Sequence, residues 1–445
     1  MVAQSWIAFW LLICMFFLIF MIVKMKIHPF LSLLFVSIFF GLASGLGIEQ
    51  TLDTILNGFG SILGSVGIVI VSGIIIGEIL TATGGAKKIA QFILGIIGKK
   101  KSTLGTNVSG AVVSIPVFSD SGFVLLNPII KSLSKVGNIP YVSLATALMA
   151  GLMTTHVLIP PTPGPIAGAE LLGADLGKFT IYALIVAIPI VIVTTLWANS
   201  KFLTRKYPKI MVEEDLEQSD ESEKTIVHTP STFRSFLPII VPIILIIGQS
   251  FSSQFLSGDS LLISIIIFIG SPPIALLIGV LLAFLLPKKL DGEVTDTWVS
   301  NAIEKSANIL LITAAGGSFG SVLKETNIGE FLGGEVLALG FPGFLIPFII
   351  AALTVTAVGS STVAITTASA IVMPLLGDLG ISPELALLAV AVGSLTVIHT
   401  NASLFWMVGK MGGMDLKQSY WAVTFTTLIM GITGIIAVGI LSFFI

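Results

Sequence analysis

Long apolar stretches follow one another along most of this 445-residue chain, and they leave it few ways to fold. Many have roughly 17–25 residues, enough to cross about 30 Å of hydrocarbon as a helix. Charged residues make up 10% of the chain, whereas soluble domains carry about 25%. The sequence therefore predicts an all-α polytopic membrane protein. Its first apolar stretch lacks a basic leader and a cleavage site, so we expect a retained helix rather than a signal peptide.

Ten stretches are predicted to cross the membrane: 6–23, 28–47, 62–82, 141–160, 179–200, 236–252, 272–287, 305–325, 383–407 and 419–444. Two others, 103–135 and 342–378, are interrupted near their middle by SDSG (119–122) and GSST (359–362). Each of these could form two half-length helices that meet at a polar tip, as in a re-entrant hairpin. Two ordinary full crossings in each stretch are the alternative.

The positions of the basic residues test this arrangement. With the N-terminus outside, only Lys178 and Lys324 of the 22 lysines and arginines fall on the outer side. The positive-inside rule requires such an asymmetry. A hairpin that crossed the membrane once would invert every later segment, so the count favours ten crossings and two re-entrant hairpins. The acidic run EEDLEQSDESEK (213–224) indicates a cytoplasmic linker.

An internal repeat at an offset of 243 residues divides the chain into halves. Six residues recur at this offset: Pro29 and Pro272, Gly73 and Gly316, Gly77 and Gly320, Thr83 and Thr326, Pro140 and Pro383, and His156 and His399. The first half has an odd number of crossings, so the second half is inverted. We expect a first repeat over 1–200, the linker over 201–234 and an inverted repeat over 235–445. Inverted repeats with broken helices are typical of secondary transporters.

The first predicted tip carries a carboxylate at membrane depth, where a charge is costly and usually functional. Asp120 is the candidate for binding a coupling proton, and its alternative role is to cap the following half-helix. The residues beside it are expected to bind an anionic substrate at the positive end of that half-helix: Ser119, Ser121 and Gly122.

The second tip has small hydroxyl residues and no charge. Its candidates for contact with a carboxylate or with polyol hydroxyls are Gly359, Ser360, Ser361 and Thr362. Helix capping and close packing of small residues in the membrane are the alternative roles.

Two histidines adjoin the predicted helix breaks. His156 precedes PPTPGP (160–165), in which proline prevents a regular helix, and His399 precedes TNAS (400–403). Histidine can relay a proton or donate to an oxyanion, so both are substrate-site candidates and His156 is a second coupling candidate. A structural hydrogen-bonding role is the alternative. Thr162 and Asn401 are the substrate-site candidates within the breaks.

Several other classes of function lack their sequence signals. There is no P-loop, HExxH or GxSxG motif in a supporting context, so we expect an ion gradient rather than ATP to supply energy. The single cysteine, Cys14, excludes a disulfide within the chain, and neither a metal nor another cofactor is expected. A net charge of −2 without a basic patch gives no sign of nucleic-acid binding.

Glu78, Glu170 and Asp175 are secondary candidates for the functional site, and we expect them near the membrane interfaces.

Over nearly its whole length the chain resembles the gluconate permease (GntP) family of the ion transporter superfamily. The resemblance rests on five motifs: GSVGIVIVSGIIIGEILTATGGAKKIA (64–90), PVFSDSGFVLLNPI (116–129), HVLIPPTPGPIAGAELLGADLG (156–177), GSSTVAITTASAIV (359–372) and HTNASLFWMVGKMGGM (399–414). It implies proton-driven import of gluconate or a related hydroxy-carboxylate, such as another sugar acid, glycerate or D-serine. By the same resemblance, Asp120 matches an acidic residue common in the first hairpin of the family. His156 matches the histidine before the proline-rich break, and Asn401 matches the asparagine after the second histidine.

The chain departs from the family pattern at two places. It has Thr162 where many relatives have histidine between prolines, and Ala402 and Leu404 where aspartate and glycine are common. Losing a carboxylate at 402 makes Asp120 the stronger candidate for coupling.

These observations together predict a proton-coupled symporter in the cytoplasmic membrane of a bacterial-type cell. Its expected partners are a small organic anion, protons and membrane lipid, with a homodimer as the oligomer to test. A sodium-coupled carboxylate carrier or a cation/proton antiporter is the first alternative. An intramembrane enzyme that uses a His/Asp pair is the second alternative. The sequence has no nucleophile motif that would support it.

Overall fold

The computed structural model describes residues 4–98, 101–205, 230–255, 261–326, 342–400 and 402–445. The acidic run 213–224 and Asn401 lie outside the described residues. Within these ranges the regular secondary structure is helical, with no strand. The prediction of an all-α chain is therefore confirmed for the described residues.

The first half contains helices α1 to α10. Their bounds are α1 Gln4–Val23, α2 Pro29–Ala43, α3 Ile48–Ala82, α4 Gly85–Ile97, α5 Ser102–Val113, α6 Ser119–Gly137, α7 Tyr141–Leu158, α8 Pro163–Leu172, α9 Leu176–Ala198 and α10 Lys201–Arg205.

The second half contains helices α11 to α20. Their bounds are α11 Thr232–Phe255, α12 Leu261–Gly270, α13 Pro272–Ala283, α14 Val299–Glu325, α15 Leu345–Val358, α16 Ser361–Val372, α17 Pro383–Gly393, α18 Ser403–Met411, α19 Leu416–Ser419 and α20 Phe425–Leu441. Short π-helical turns at Glu293–Trp298 and Tyr420–Thr424 lead into α14 and α20.

Among the described residues, six helical segments are long and apolar enough to cross a membrane, or seven if the bent pair α12–α13 is one crossing. One of the six, Tyr141–Leu172, includes both α7 and α8. The two helices of that pair meet at 68°. Shorter apolar helices lie within other predicted crossings and hairpins, among them α2, α15 and α17. Large apolar side chains on α1 and α2 are exposed, such as Phe16 and Phe35, as expected for helices that face lipid.

The longest helix, α3, begins well before the predicted start of its crossing at residue 62. It continues through the polar residues Asp53 and Asn57 because its first turns pack along α14. A β-carbon on Gly58 would lie 2.7 Å from the Gly317 carbonyl oxygen, so small residues permit this close approach. The helix thus begins 14 residues before the predicted crossing, because hydropathy alone does not register polar turns that pack on another helix.

Helix bounds recur between the halves at the offset of 243 residues seen in the sequence. The matching bounds are the starts of α2 and α13 (Pro29, Pro272), the ends of α3 and α14 (Ala82, Glu325), the starts of α5 and α15 (Ser102, Leu345) and the ends of α9 and α20 (Ala198, Leu441). The packing also corresponds, because α5 packs on α7 as α15 packs on α17. Across the halves, α8 packs on α16 and α18 on α6.

Helical structure is interrupted in each stretch where an interruption was predicted. The α5–α6 break covers 114–118, so α6 already begins at the first residue of SDSG. The α15–α16 break lies at Gly359 and Ser360. The break after α7 covers 159–162, with a cis peptide between Pro160 and Pro161. The break after α17 begins at Ser394, before the predicted TNAS.

Candidate functional site

Four of the interrupted segments and one uninterrupted helix surround a cavity of about 420 Å³. Its walls come from the starts of α6 and α16, the last turns of α7, one stripe of α14 and the break before α18. Of the predicted site residues, those that line it are Ser119, Asp120, Ser121, His156, Gly359, Ser360, Ser361 and Thr362. The structure thus brings both predicted tips to one site.

At the first tip, α6 begins at Ser119 and its N-cap residue is Phe118. Asp120 therefore does not occupy the capping position. Instead its Oδ2 accepts a hydrogen bond of 2.5 Å from the hydroxyl of Ser403 at the start of α18. This bond joins the two halves across the cavity.

Gly122, the other candidate at the first tip, does not line the cavity. It is buried in α6, and a β-carbon added there would lie 2.5 Å from Leu152 Cδ2 on α7. Its backbone N–H donates to the Phe118 carbonyl at 2.8 Å. Gly122 thus sets how closely α6 approaches α7.

At the second tip, the chain turns sharply before α16 begins. Gly359 has a φ of +77°, a left-handed conformation that favours glycine. Ser360 caps the helix by accepting from Val363 N at 3.4 Å, and Ser361 Oγ donates to the Ser394 carbonyl at 2.8 Å. These two hydroxyls are therefore engaged in fixing the tip, whereas Thr362 lies on the cavity wall without a capping role.

The first residues of both helices line the cavity. The first turn of a helix leaves N–H groups without intrahelical partners, at the positive end of the helix dipole. Two such ends at one cavity form an environment suited to an anion. The lining hydroxyls add donors and acceptors suited to alcohol groups.

The two repeat-related histidines occupy different environments. His156 is 8% exposed, lines the cavity and packs its ring against Phe118 at a centroid distance of 5.6 Å. Its Nδ1 is buried and has no hydrogen-bond partner among the described residues. His399 lies outside the cavity wall, with Nε2 2.9 Å from the Thr356 carbonyl oxygen. A structural hydrogen-bonding role, the alternative for both histidines, thus fits the surroundings of His399 better than those of His156.

The residues of the first break also lie outside the cavity wall. Thr162 is buried and its hydroxyl donates to the Ile159 carbonyl at 2.6 Å. Pro161 packs against α3, where a β-carbon on Gly73 would lie 2.7 Å from its carbonyl oxygen. The break is enclosed by helices, which explains why its side chains do not reach the site. The other break candidate, Asn401, lies outside the described residues.

Sequence reasoning missed the contribution of α14. Four of its residues line the cavity at helical spacing: Lys305, Asn308, Ile309 and Ile312. Lys305 Nζ lies 2.5 Å from Glu78 Oε2 on α3, so the secondary candidate Glu78 is part of an ion pair beside the site. The sequence shows that these residues follow Lys305 at three, four and seven positions, a helical spacing. It does not show which face of α14 turns toward the cavity.

The other secondary acidic candidates lie around a separate cavity of about 360 Å³. Asp175 caps α9 by accepting from Lys178 N at 2.8 Å, and it also accepts from the Ser250 hydroxyl. Glu170 lines the same cavity. Among the residues that the structure describes, no group of three or more histidine, cysteine, aspartate or glutamate side chains is placed to hold a metal ion.

Comparison with known proteins identifies the family of this chain. The family model described as "GntP family permease" matches residues 6–444. An uncharacterized permease of Haemophilus influenzae is 37% identical over 96% of this chain and 90% of its own length. A gluconate permease of Pseudomonas aeruginosa is 29% identical over 96% of this chain and 95% of its own length. The D-serine transporter DsdX of Escherichia coli is 31% identical over the full length of both chains.

The fold is also that of a solved transporter. The structure of MtrF from Neisseria gonorrhoeae, described as illuminating a class of antimetabolite efflux pumps, matches with a TM-score of 0.70. The match covers 96% of this chain and 97% of that one, at 15% sequence identity. At that identity the likeness concerns the fold alone. From the family match, the predicted resemblance is confirmed: the chain belongs to the GntP permease family and is a multi-pass transporter of the cytoplasmic membrane, not an enzyme.

Proposed function

We propose that this permease is a proton-coupled symporter that imports gluconate or a related small hydroxy-carboxylate. The observation that carries the proposal is the meeting of the α6 and α16 N-termini, with their hydroxyl residues, at one cavity. The cavity volume of about 420 Å³ falls within the range of roughly 300–1,000 Å³ usual for small-molecule sites. A carboxylate would bind the N–H groups of the helix starts, and the substrate hydroxyls would bind the serine and threonine side chains.

The names of the relatives support this class of substrate. Gluconate and D-serine, carried by two of them, are both small carboxylates that bear hydroxyl groups. Both need anion-binding N–H groups and partners for alcohols, and the cavity offers both. We propose direct contacts from Ser119, Ser121, His156 and the 359–362 tip. Gly122, Thr162 and His399 would instead hold the backbone that presents them.

Proton coupling is assigned to Asp120, with His156 as its neighbour on the cavity wall. Asp120 is the only aspartate or glutamate among the described residues that line the cavity. An ionised carboxylate oxygen only accepts hydrogen bonds, so protonation at Oδ2 would replace the bond from Ser403 with a new donor. Because Ser403 belongs to the other half of the chain, this change would alter the contact between the halves.

The proposed transport cycle uses the inverted repeats predicted from the sequence, 1–200 and 235–445, joined by 201–234. The recurrence of helix bounds at 243 residues supports this division. In the proposed topology ten segments cross the membrane, two of them interrupted, while α5–α6 and α15–α16 form the re-entrant hairpins. The hairpins would move against the remaining helices to expose the cavity to each side in turn.

Uptake by proteoliposomes containing the purified protein tests the proposal. We expect an inward proton gradient to drive accumulation of labelled gluconate above its external concentration, and an inward sodium gradient at equal pH to drive none. Competition by unlabelled glycerate, other sugar acids and D-serine would rank the substrates. Accumulation driven by sodium alone would contradict proton coupling, and absence of uptake for every hydroxy-carboxylate would contradict the substrate class.

A further inference from the structure

The ion pair between Lys305 and Glu78 stands at the edge of the proposed site. Lys305 lies on α14 and Glu78 on α3, the two long helices that pack along each other. Their charged atoms are 2.5 Å apart. The Lys305 side chain is 49% exposed and that of Glu78 20% exposed. Because Lys305 lines the cavity and is still half-exposed, it lies where the cavity opens.

Lys305 is the only lysine or arginine among the described residues that line the cavity. Helix N-termini attract an anion through partial charges, whereas an ammonium carries a full charge and three donors. Attraction between full charges grows as water is excluded. An anionic substrate in this cavity would therefore find its strongest fixed partner in Lys305. Asn308 on the next turn of the same stripe adds an amide that can both donate and accept.

Glu78 is paired with the Lys305 ammonium in the structure. It does not line the cavity itself, so it meets the substrate only through Lys305. A carboxylate substrate and Glu78 are chemically alike, and both would compete for the same donors. Such a competitor would weaken binding and speed release, as a carrier requires.

We propose that Lys305 is a carboxylate-binding residue of this permease and that Glu78 is the internal carboxylate that the substrate displaces from it. The inference rests on the proposed function, because it assumes an anionic substrate in this cavity. It adds a full positive charge to the site and a built-in competitor that regulates affinity. The residues of the two tips and the histidines provide neither the full positive charge nor the competitor.

Equilibrium binding of labelled gluconate to the purified, detergent-solubilised protein tests this inference. We expect Lys305→Gln to weaken binding by about tenfold or more, as for loss of a charge-assisted contact. Lys305→Arg keeps the charge and should bind within a few-fold of the wild type. Glu78→Gln frees the ammonium and should tighten binding several-fold. The double variant should match Lys305→Gln, because Glu78 acts only through Lys305.

Lys324→Gln, at the far end of the same helix and outside this cavity, is the matched control and should bind as the wild type does. Partly exposed ion pairs contribute little to stability, so we expect each variant to fold, as checked by melting temperature and gel filtration. Unchanged affinity in Lys305→Gln, or a Glu78→Gln variant weakened as much as Lys305→Gln, would overturn the inference. If the wild type itself bound no gluconate, glycerate or D-serine, the proposed function would fail first.

Discussion

His156 and His399 stand at matching positions in the two halves, yet their surroundings differ. His156 lies on the cavity wall, with one ring nitrogen buried and unpaired among the described residues. His399 is tied to the Thr356 carbonyl and lies outside the wall. A buried polar atom without a partner is costly and calls for an explanation. The two histidines thus hold matching sequence positions but contact different groups.

The two helix starts also differ. Counted from the first residue of α6 and of α16, Asp120 and Thr362 are equivalent, but only one can carry a charge. The first half would therefore supply the titratable groups. The second half supplies hydroxyls and, from α14, the ammonium of Lys305. Both halves thus place a helix start with hydroxyl residues at one cavity, but only the start of α6 carries a carboxylate there.

The largest expected effect comes from removing the charge of the first tip. Asp120→Asn should abolish gradient-driven accumulation of gluconate while sparing counterflow exchange, because the amide retains the shape but cannot bind a proton. The matched variant on the second tip, Thr362→Val, should still accumulate substrate, with KM raised about five- to tenfold for one lost hydrogen bond. Uptake and counterflow in proteoliposomes measure both. Full accumulation by Asp120→Asn would contradict the coupling role proposed for the first tip.

The histidine on the cavity wall is the next test. His156→Gln should raise KM for gluconate about tenfold, as expected for loss of a buried contact to the substrate. The melting temperature without substrate should change little, because Nδ1 has no partner to lose among the described residues. Initial rates of uptake and thermal melts provide the two readouts. An unchanged KM would place His156 among the structural residues.

The repeat-related variant should behave in the opposite way. His399→Gln loses the contact with the Thr356 carbonyl, which is expected to cost about 1–3 kcal/mol of stability. We expect a melting temperature lower by a few degrees and a KM within twofold of the wild type. A large change in KM without a change in stability would show that His399 contacts the substrate after all.

The smallest expected effect concerns the backbone of the break between α17 and α18. Val397 has a φ of +48°, where a β-branched residue is strained, at a cost of order 1–3 kcal/mol. Val397→Gly should leave the melting temperature unchanged or raise it slightly, because relief of strain offsets the lost side chain. Val157→Gly, in the buried last turn of α7, is the control and should lower it markedly. A large loss of stability in Val397→Gly would show that the break is not strained.

The sequence was informative wherever a local break had to be made. Proline after His156, glycine at 359 and serine at both helix starts are short-range signals, and the structure has helix ends at each. It was less informative where position depends on distant packing. In the sequence, Lys305 is one of many basic residues on the predicted cytoplasmic side, and nothing local reveals which face of α14 turns toward the tips. The hydroxyl of Ser403 meets Asp120 from 283 residues away, and no periodicity predicts that contact.

Proton movement during substrate entry tests the central claim most directly. Proteoliposomes loaded with a pH-sensitive dye, with no gradient imposed at the start, would receive external gluconate. We expect the lumen to acidify as gluconate enters through the wild type, and no acidification with Asp120→Asn at equal protein content. Entry of gluconate through the wild type without acidification would contradict proton coupling and, with it, the role assigned to the first tip.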